Sequence, residues 1–227
     1  MKLELEAKLT TESIREYSYR MLKKNIINFN LKPGDIVSEA TVGEVFHASR
    51  TPIRETFARL AADGLLEIRP QKSSTISLID EKRVFESLFM RRVQEEAMIV
   101  VACQNCQEET LFKLESNLNQ QKFFYEKKRF ADLLKLDNEM HELFFYGCEM
   151  EHIWMAMQSI SADQYRIRHL RLESISGWQR AIGEHEHLIS CIKNGNGDEA
   201  RQIIHKHIIR INEGVKNCKK EYPKYFK

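Results

Sequence analysis

Apolar residues recur at helical spacing along most of this chain, and they alternate along only one short stretch around residue 70. In residues 11–29, Ile14, Met21 and Ile26 fall on one face, so the pattern predicts a first helix. A Pro-Gly pair soon afterwards marks its end. Only nine Gly and four Pro occur among 227 residues, which favours long helices with few tight turns. The pattern therefore predicts a mainly α protein.

The next two predicted helices are short and lie close together in the chain. Ser38 is typical of a helix N-cap, and the helix after it ends before a turn at His47, a residue type that tolerates the left-handed conformation. A third helix is expected to start with Thr51 as its cap and Pro52 at its first position, and to end at Gly64. Two helices joined by so short a turn predict a helix-turn-helix.

Alternation over residues 65–79 predicts two short strands around a turn, which would form a wing beside this motif. The start of the third helix carries Arg50 and Arg54, whose guanidinium groups can bond a guanine edge in the major groove. Lys72 at the wing tip is expected to contact phosphate. A helix-turn-helix pattern alone is also compatible with plain core packing, but the wing and the paired arginines favour DNA binding.

From residue 81 onward the pattern predicts one helix after another, with the segment KNGNGD forming the turn between the last two. This succession is typical of an antiparallel helical bundle. The expected helices cover residues 81–105, 108–125, 130–148, 153–172, 178–193 and 197–217.

Four polar residues fall on the apolar faces of three of these helices. Asp137 and His141 stand four residues apart on one such face, and His185 and His207 each interrupt another. A single buried histidine commonly bonds a backbone carbonyl, whereas one aspartate and three histidines would be costly to bury without a shared partner. The four residues therefore favour a common metal ion.

Two other histidines accompany this set but face away from it. His187 and His205 each lie two positions from an inward-facing histidine, and residues two apart on a helix do not share a face. The sequence thus predicts that each His-x-His pair contains one buried and one outward histidine.

The composition is that of a globular protein, with 42% hydrophobic and 30% charged residues and a net charge of +2. A nucleic-acid site must therefore come from local clustering of basic residues. The first residues lack the apolar segment of a signal peptide, and no apolar run is long enough to span a membrane. With five cysteines, an odd number, these features predict a cytoplasmic protein with reduced thiols and no membrane partner.

Residues 31–77 resemble the winged helix of GntR-type bacterial transcription regulators, from the Pro-Gly turn through SRTPIRE to the wing. Three positions depart from the family pattern. Ala40 stands where many relatives carry a DNA-contacting arginine, His47 replaces the turn glycine, and Ser73 replaces the wing glycine. The resemblance implies four operator-contacting residues, which are Ser49, Arg50, Thr51 and Arg54.

The second half of the chain resembles the FCD effector domain of the FadR subfamily, through the layout of its aspartate and three histidines. Members of this type hold a divalent metal, and the donor set is compatible with Zn, Mn, Ni or Fe. The resemblance implies that the ligands are Asp137, His141, His185 and His207. A small carboxylate effector is expected at open positions of the metal, and the candidate arginines to pair with it are Arg91, Arg166 and Arg168. An internal ion pair with Glu95 is the alternative role for Arg91.

The expected architecture is mainly α, with three helices and a small β-hairpin wing in residues 1–78 and an all-α antiparallel bundle in residues 79–227. The expected function is that of a homodimeric repressor, not an enzyme, which binds near-palindromic operator DNA and responds to a carboxylate metabolite. Two alternatives stay open at this point. One is a metal-dependent hydrolase that uses a metal-activated water at the Asp/His₃ site, and the other is an interaction module with a purely structural zinc ion.

Overall fold

The computed structural model describes residues 3–69, 73–172 and 175–227, and these form two compact units. Residues up to Glu81 together with Lys219–Lys227 belong to the first unit, and Lys82–Cys218 form the second. The helices are α1 Ile14–Ile27, α2 Glu39–Phe46, α3 Arg50–Ala62, α4 Glu81–Asn105, α5 Glu108–Glu126, α6 Phe130–Tyr146, α7 Glu151–Ser159, α8 Ala162–Leu170, α9 Ile175–Asn194 and α10 Gly197–Glu221. The strands are β1 Ile36–Val37, β2 Leu66–Glu67 and β3 Ser74–Ile76. No helix within the described ranges is long and apolar enough to cross a membrane.

The first unit is built on α1, α2 and α3, which enclose an apolar core. Its most buried side chains include Met21, Ile26, Val42, Ile53 and Phe57. Ser38 caps α2, since its hydroxyl accepts a hydrogen bond from the Thr41 N–H at 3.1 Å. His47 follows α2 with a φ of 49°, in the left-handed region. The predicted helix-turn-helix is confirmed, together with its cap and its turn residue.

The start of α3 differs from the prediction. Ser49 occupies the N-cap position with extended backbone, and the helix begins at Arg50, so the expectation that Thr51 caps it was wrong. Pro52 is consequently the third helical residue. It is tolerated there because the first four N–H groups of a helix have no intrahelical acceptor.

A three-stranded antiparallel sheet completes this unit, with the strand order β1-β3-β2. Leu66 pairs with Ile76, which confirms the predicted hairpin. The strand β1 was not predicted, because two residues are too few to show alternation; its Ile36 pairs with Thr75. Lys72 at the predicted wing tip lies outside the described residues.

The second unit contains the predicted helices, with one correction. Residues 153–172 were expected to form a single helix, but α7 ends at Ser159 and α8 begins at Ala162. The Ser161 hydroxyl donates to the Met157 carbonyl at 2.7 Å, and in a continuous helix that carbonyl would accept the Ser161 N–H. This side-chain hydrogen bond competes with the helix at a position that has neither Pro nor Gly to signal a break.

Gly147 ends α6 where that helix packs against α5. A Cβ at this position would overlap the Thr110 side chain and lie 2.9 Å from the Leu143 carbonyl oxygen. We expect Gly147→Ala to lower the free energy of unfolding by about 1–3 kcal/mol, because one helix must shift. Gly183 is the matched control: a Cβ there meets nothing within 4 Å, so Gly183→Ala should stabilise by about 1 kcal/mol. Urea unfolding measures both, and equal stabilities would contradict this packing.

Candidate metal centre and ligand cavity

Four side chains from three helices converge inside the second unit. Asp137 and His141 project side by side from α6, because residues four apart share a helix face. His185 comes from α9 and His207 from α10. Asp137 is 2% exposed, and His141 and His185 are fully buried. One potential ligand atom of each residue lies within 4.8 Å of those of the other three. The predicted burial is confirmed for the first three residues, and the His207 side chain is 8% exposed.

Each of the three imidazoles has an oxygen acceptor beside its Nδ1 atom. Because a carboxylate or amide oxygen only accepts, Nδ1 carries a hydrogen in each ring, and the Nε2 lone pair of a neutral ring is then the one available to a metal. The Nδ1–oxygen distances are 2.5 Å for His141 and Glu95, 2.8 Å for His185 and Gln121, and 2.8 Å for His207 and Glu184.

The three Nε2 atoms point towards one another instead of towards hydrogen-bond donors. Nε2 of His141 lies 3.3 Å from Nε2 of His207, which brings two lone pairs together. Nε2 of His185 is buried without a hydrogen-bond partner and lies 3.6 Å from Oδ1 of Asp137. Buried acceptors aimed at a common point carry a desolvation cost that a shared cation removes.

The protonation states suit metal binding. Burial lowers the pKa of His185 to about 4 and holds the pKa of His141 well below its ordinary value. Burial alone would raise the pKa of Asp137, but the Arg168 guanidinium and the neighbouring histidines outweigh it and hold that pKa well below its usual range. Neutral imidazoles and an ionised carboxylate are the forms that ligate metals.

These residues fit a divalent transition metal. Three imidazole nitrogens and one carboxylate oxygen are donors that Zn, Ni, Mn and Fe accept, and the hydrogen bonds to Nδ1 hold the rings in a ligating orientation. When bound, such an ion would supply a Lewis-acidic centre with positions open to an anionic ligand.

A cavity of about 180 Å³ opens beside Asp137 and His207. Part of its wall is apolar and includes Leu134, Ala181 and Ile211. Four guanidinium groups also line it, those of Arg168, Arg171, Arg180 and Arg210. A small, solvent-open cavity with a partly apolar wall and several positive charges is suited to an organic anion.

Of the three arginines predicted to bind an effector, the structure brings one to this cavity. Arg168 lines it and contacts Asp137 and Asn138. Arg91 and Arg166 are not among the described residues of its wall, because each is buried against a carboxylate of its own helix. Arg91 Nε lies 2.5 Å from Glu95 Oε1, in the alternative role considered for it, and Arg166 contacts Asp163.

Sequence reasoning missed several residues around the site. Arg210 lies three positions after His207, and Arg171 lies three after Arg168, so helical spacing could have pointed to both. Glu184 directly precedes His185 in the chain but bonds His207. Glu95 and Gln121 lie on α4 and α5, and no spacing relates them to the histidines that they orient.

The first unit exposes the predicted DNA-contacting residues at the start of α3, and these are Ser49, Arg50, Thr51 and Arg54. The Ser49 hydroxyl makes no capping hydrogen bond. Within the described part of the chain, neither arginine pairs with a carboxylate. Cζ of Arg59, five residues after Arg54, instead lies 3.9 Å from the centre of the Tyr19 ring. The exposed guanidinium groups at the helix start are therefore available to a partner.

A winged helix-turn-helix that exposes arginines at the start of α3 is the architecture of DNA-binding transcription regulators, and here a helical bundle with an open cavity follows it. Residues 15–76 match the gntR family of bacterial regulatory proteins, and residues 86–210 match the FCD domain. The chain belongs to the GntR family and carries an FCD domain. Proteins of this family are transcription factors, which leaves the hydrolase alternative without support.

Similar proteins agree with this assignment. The HTH-type transcriptional repressor RspR of Escherichia coli is 29% identical over 95% of both chains. The HTH-type transcriptional regulator YdhC of Bacillus subtilis is 27% identical over 89% of this chain and 91% of its own. The solved structure of Escherichia coli McbR/YncC superposes with a TM-score of 0.77 and covers 93% of this chain and all of its own. At 17% identity, that last likeness concerns the fold alone.

Proposed function

We propose that this regulator is a cytoplasmic, homodimeric repressor that holds a divalent metal and responds to a small carboxylate. The observation that carries the proposal is the convergence of three Nε2 atoms and the Asp137 carboxylate beside an arginine-lined cavity. The name of the similar protein RspR supports repression as the mode of action.

In this proposal Asp137, His141, His185 and His207 hold Zn, Ni, Mn or Fe, and the effector enters through the cavity beside Asp137 and His207. Its carboxylate would bind the metal and meet Arg168, whose guanidinium already contacts the Asp137 carboxylate. Arg168 is therefore kept as an effector residue, whereas Arg91 and Arg166 are assigned to internal ion pairs. Effector binding at this point would alter the preference of the protein for operator DNA.

Melting experiments on metal-free and metal-loaded protein test this link. A metal ion at 100 times its Kd should stabilise the fold by about 2.7 kcal/mol, because it binds only the folded state. A carboxylate that binds the metal should raise Tm further in loaded protein and have no effect after chelation. If a carboxylate still raised Tm after complete metal removal, the proposal would be contradicted. If metal raised Tm but no carboxylate raised it further, the structural-zinc alternative would be favoured.

On the DNA side, Ser49, Arg50, Thr51 and Arg54 are proposed to contact a near-palindromic operator, with Lys72 on phosphate. Arg54→Ala should weaken binding by about 1–3 kcal/mol and flatten the preference at one base pair in each half-site. Selection from a random DNA library followed by gel-shift titration measures both effects. Arg129→Ala is the control, since it removes one exposed positive charge from the second unit. Unchanged affinity of Arg54→Ala would rule out this recognition residue.

A further inference from the structure

Among the side chains that the structure describes, two of the four arginines that line the cavity pair with no carboxylate. Arg168 contacts Asp137, and Arg210 contacts Glu184. Arg171 and Arg180 line the same cavity, yet among the side chains that the structure describes no carboxylate pairs with either. Positive charges that line a cleft with low-dielectric walls raise the local concentration of anions. This pair is thus a candidate anion site apart from the metal ligands.

The position of Arg171 depends on a glycine inside α10. A Cβ at Gly214 would overlap the Arg171 guanidinium, which lies directly against this part of the helix. Glycine in a helix interior destabilises the helix by about 1 kcal/mol relative to alanine, so Gly214 lowers the stability of α10. The missing side chain makes the space in which the Arg171 guanidinium lies.

The distance between the metal ligands and Arg171 follows from α10. His207 and Gly214 are seven residues apart, hence two turns and roughly 10 Å along one face of the helix. On α9, Glu184 and Gly177 are also seven residues apart and both line the cavity. Apolar Ala181 and Ile211 lie midway on the two helices. The cavity therefore has a metal-ligand end and an apolar middle, with Arg171 about two helical turns from the ligands and Arg180 next to Ala181 on α9.

From this arrangement we propose that the effector is a small diacid. One carboxylate binds at the metal and Arg168, the carbon chain crosses the apolar middle, and a second anionic group binds Arg171 and Arg180. Guanidinium groups donate hydrogen bonds to a carboxylate or a phosphate in this role. The inference rests on the proposed function and adds the chemical class of the effector, since a monoacid would leave the second pair of guanidinium groups without an anion.

Calorimetric titration of the full chain loaded with Zn²⁺ tests the proposal with matched acids. The pairs are butyrate and succinate, hexanoate and adipate, octanoate and suberate, with glycerate and 3-phosphoglycerate as the phosphate arm. We expect at least one diacid to bind about tenfold or more tightly than its monoacid, because a charge-assisted hydrogen bond contributes that much. The arm that shows the larger ratio identifies the second group as carboxylate or phosphate.

Two variants locate the second site. Arg171→Gln should remove the advantage of the diacid and leave monoacid affinity and Zn²⁺ content unchanged. Gly214→Ala should do the same, because its methyl group displaces the Arg171 guanidinium while alanine favours the helix. Arg201→Gln, on the exposed face of α10, is the control and should retain the advantage.

The results separate this inference from the proposed function. Monoacids that bind only with Zn²⁺ present, and as tightly as diacids, would overturn the diacid proposal alone. Equal weakening of both acids by Arg171→Gln would overturn it as well. If none of the probe acids shows Zn²⁺-dependent binding, the proposed function fails and the diacid proposal fails with it.

Discussion

His185→Ala and His207→Ala are each expected to lose most of the bound metal, whereas His187→Ala and His205→Ala are expected to retain it. Removing a residue that only hydrogen-bonds a metal ligand typically lowers metal affinity about 10-fold to 100-fold. Removing a ligand itself should lower metal affinity by at least that factor. Both variants should also melt at lower temperature, because they lose the stabilisation that a bound metal gives to the folded state. Elemental analysis of the four purified proteins measures the metal content.

The two controls match the ligands in residue type, helix and sequence neighbourhood. His187 is exposed, and the His205 side chain is 44% exposed and bonds Glu96 at 2.7 Å. Their replacement should change the free energy of unfolding by about 0.5 kcal/mol or less, as surface changes usually do. Metal lost from His205→Ala but retained by His207→Ala would mean that the ligating face of α10 has been assigned incorrectly.

The burial of the proposed metal ligands could be predicted from the sequence because helical periodicity carries that information. Asp137 and His141 interrupt an apolar stripe at a spacing of four, and each His-x-His pair contains one member on a stripe. Periodicity says which way a side chain faces but not which residue of another helix meets it. The acceptors Glu95 and Gln121 could not be found in this way, because they come from helices distant in the chain.

The effector arginines show the same limit. Arg91 faces the core as expected, but it forms an ion pair with a carboxylate four residues away on its own helix. Arg166 likewise forms an ion pair with Asp163, three residues away. Arg171 comes after the end of α8, and its guanidinium lies in the space that Gly214 leaves on α10. That space results from tertiary packing, and no local sequence pattern encodes it.

The fold was predictable where turn and cap chemistry is strong. Ser38 and His47 could be assigned from residue type, since a hydroxyl caps a helix and histidine tolerates positive φ. The two-residue strand β1 and the break at Ser161 could not be predicted. The strand β1 is defined by its pairing with β3, which is distant in the chain. The break at Ser161 is accompanied by one hydrogen bond of its side chain.

Glu95→Ala is expected to destabilise metal-free protein by about 3–5 kcal/mol, because it leaves the buried Arg91 charge without its partner. Arg91 is 3% exposed, and its Nη2 atom already lacks a hydrogen-bond partner. The next residue provides the control. Glu96 forms the same type of pair with Arg92 at 2.9 Å, but these side chains are 20% and 24% exposed. Glu96→Ala should therefore cost about 1 kcal/mol or less in urea unfolding.

Glu95 also accepts the hydrogen bond that orients His141, so the same variant should weaken Zn²⁺ binding about 10-fold to 100-fold. A double variant separates the two roles. Arg91→Met combined with Glu95→Leu replaces both charges by apolar side chains of similar size, which should recover most of the lost stability. It should not recover Zn²⁺ affinity, because Nδ1 of His141 still has no acceptor to fix its orientation. If affinity returned together with stability, Glu95 would serve the fold alone, and its contact with His141 would have no part in metal binding.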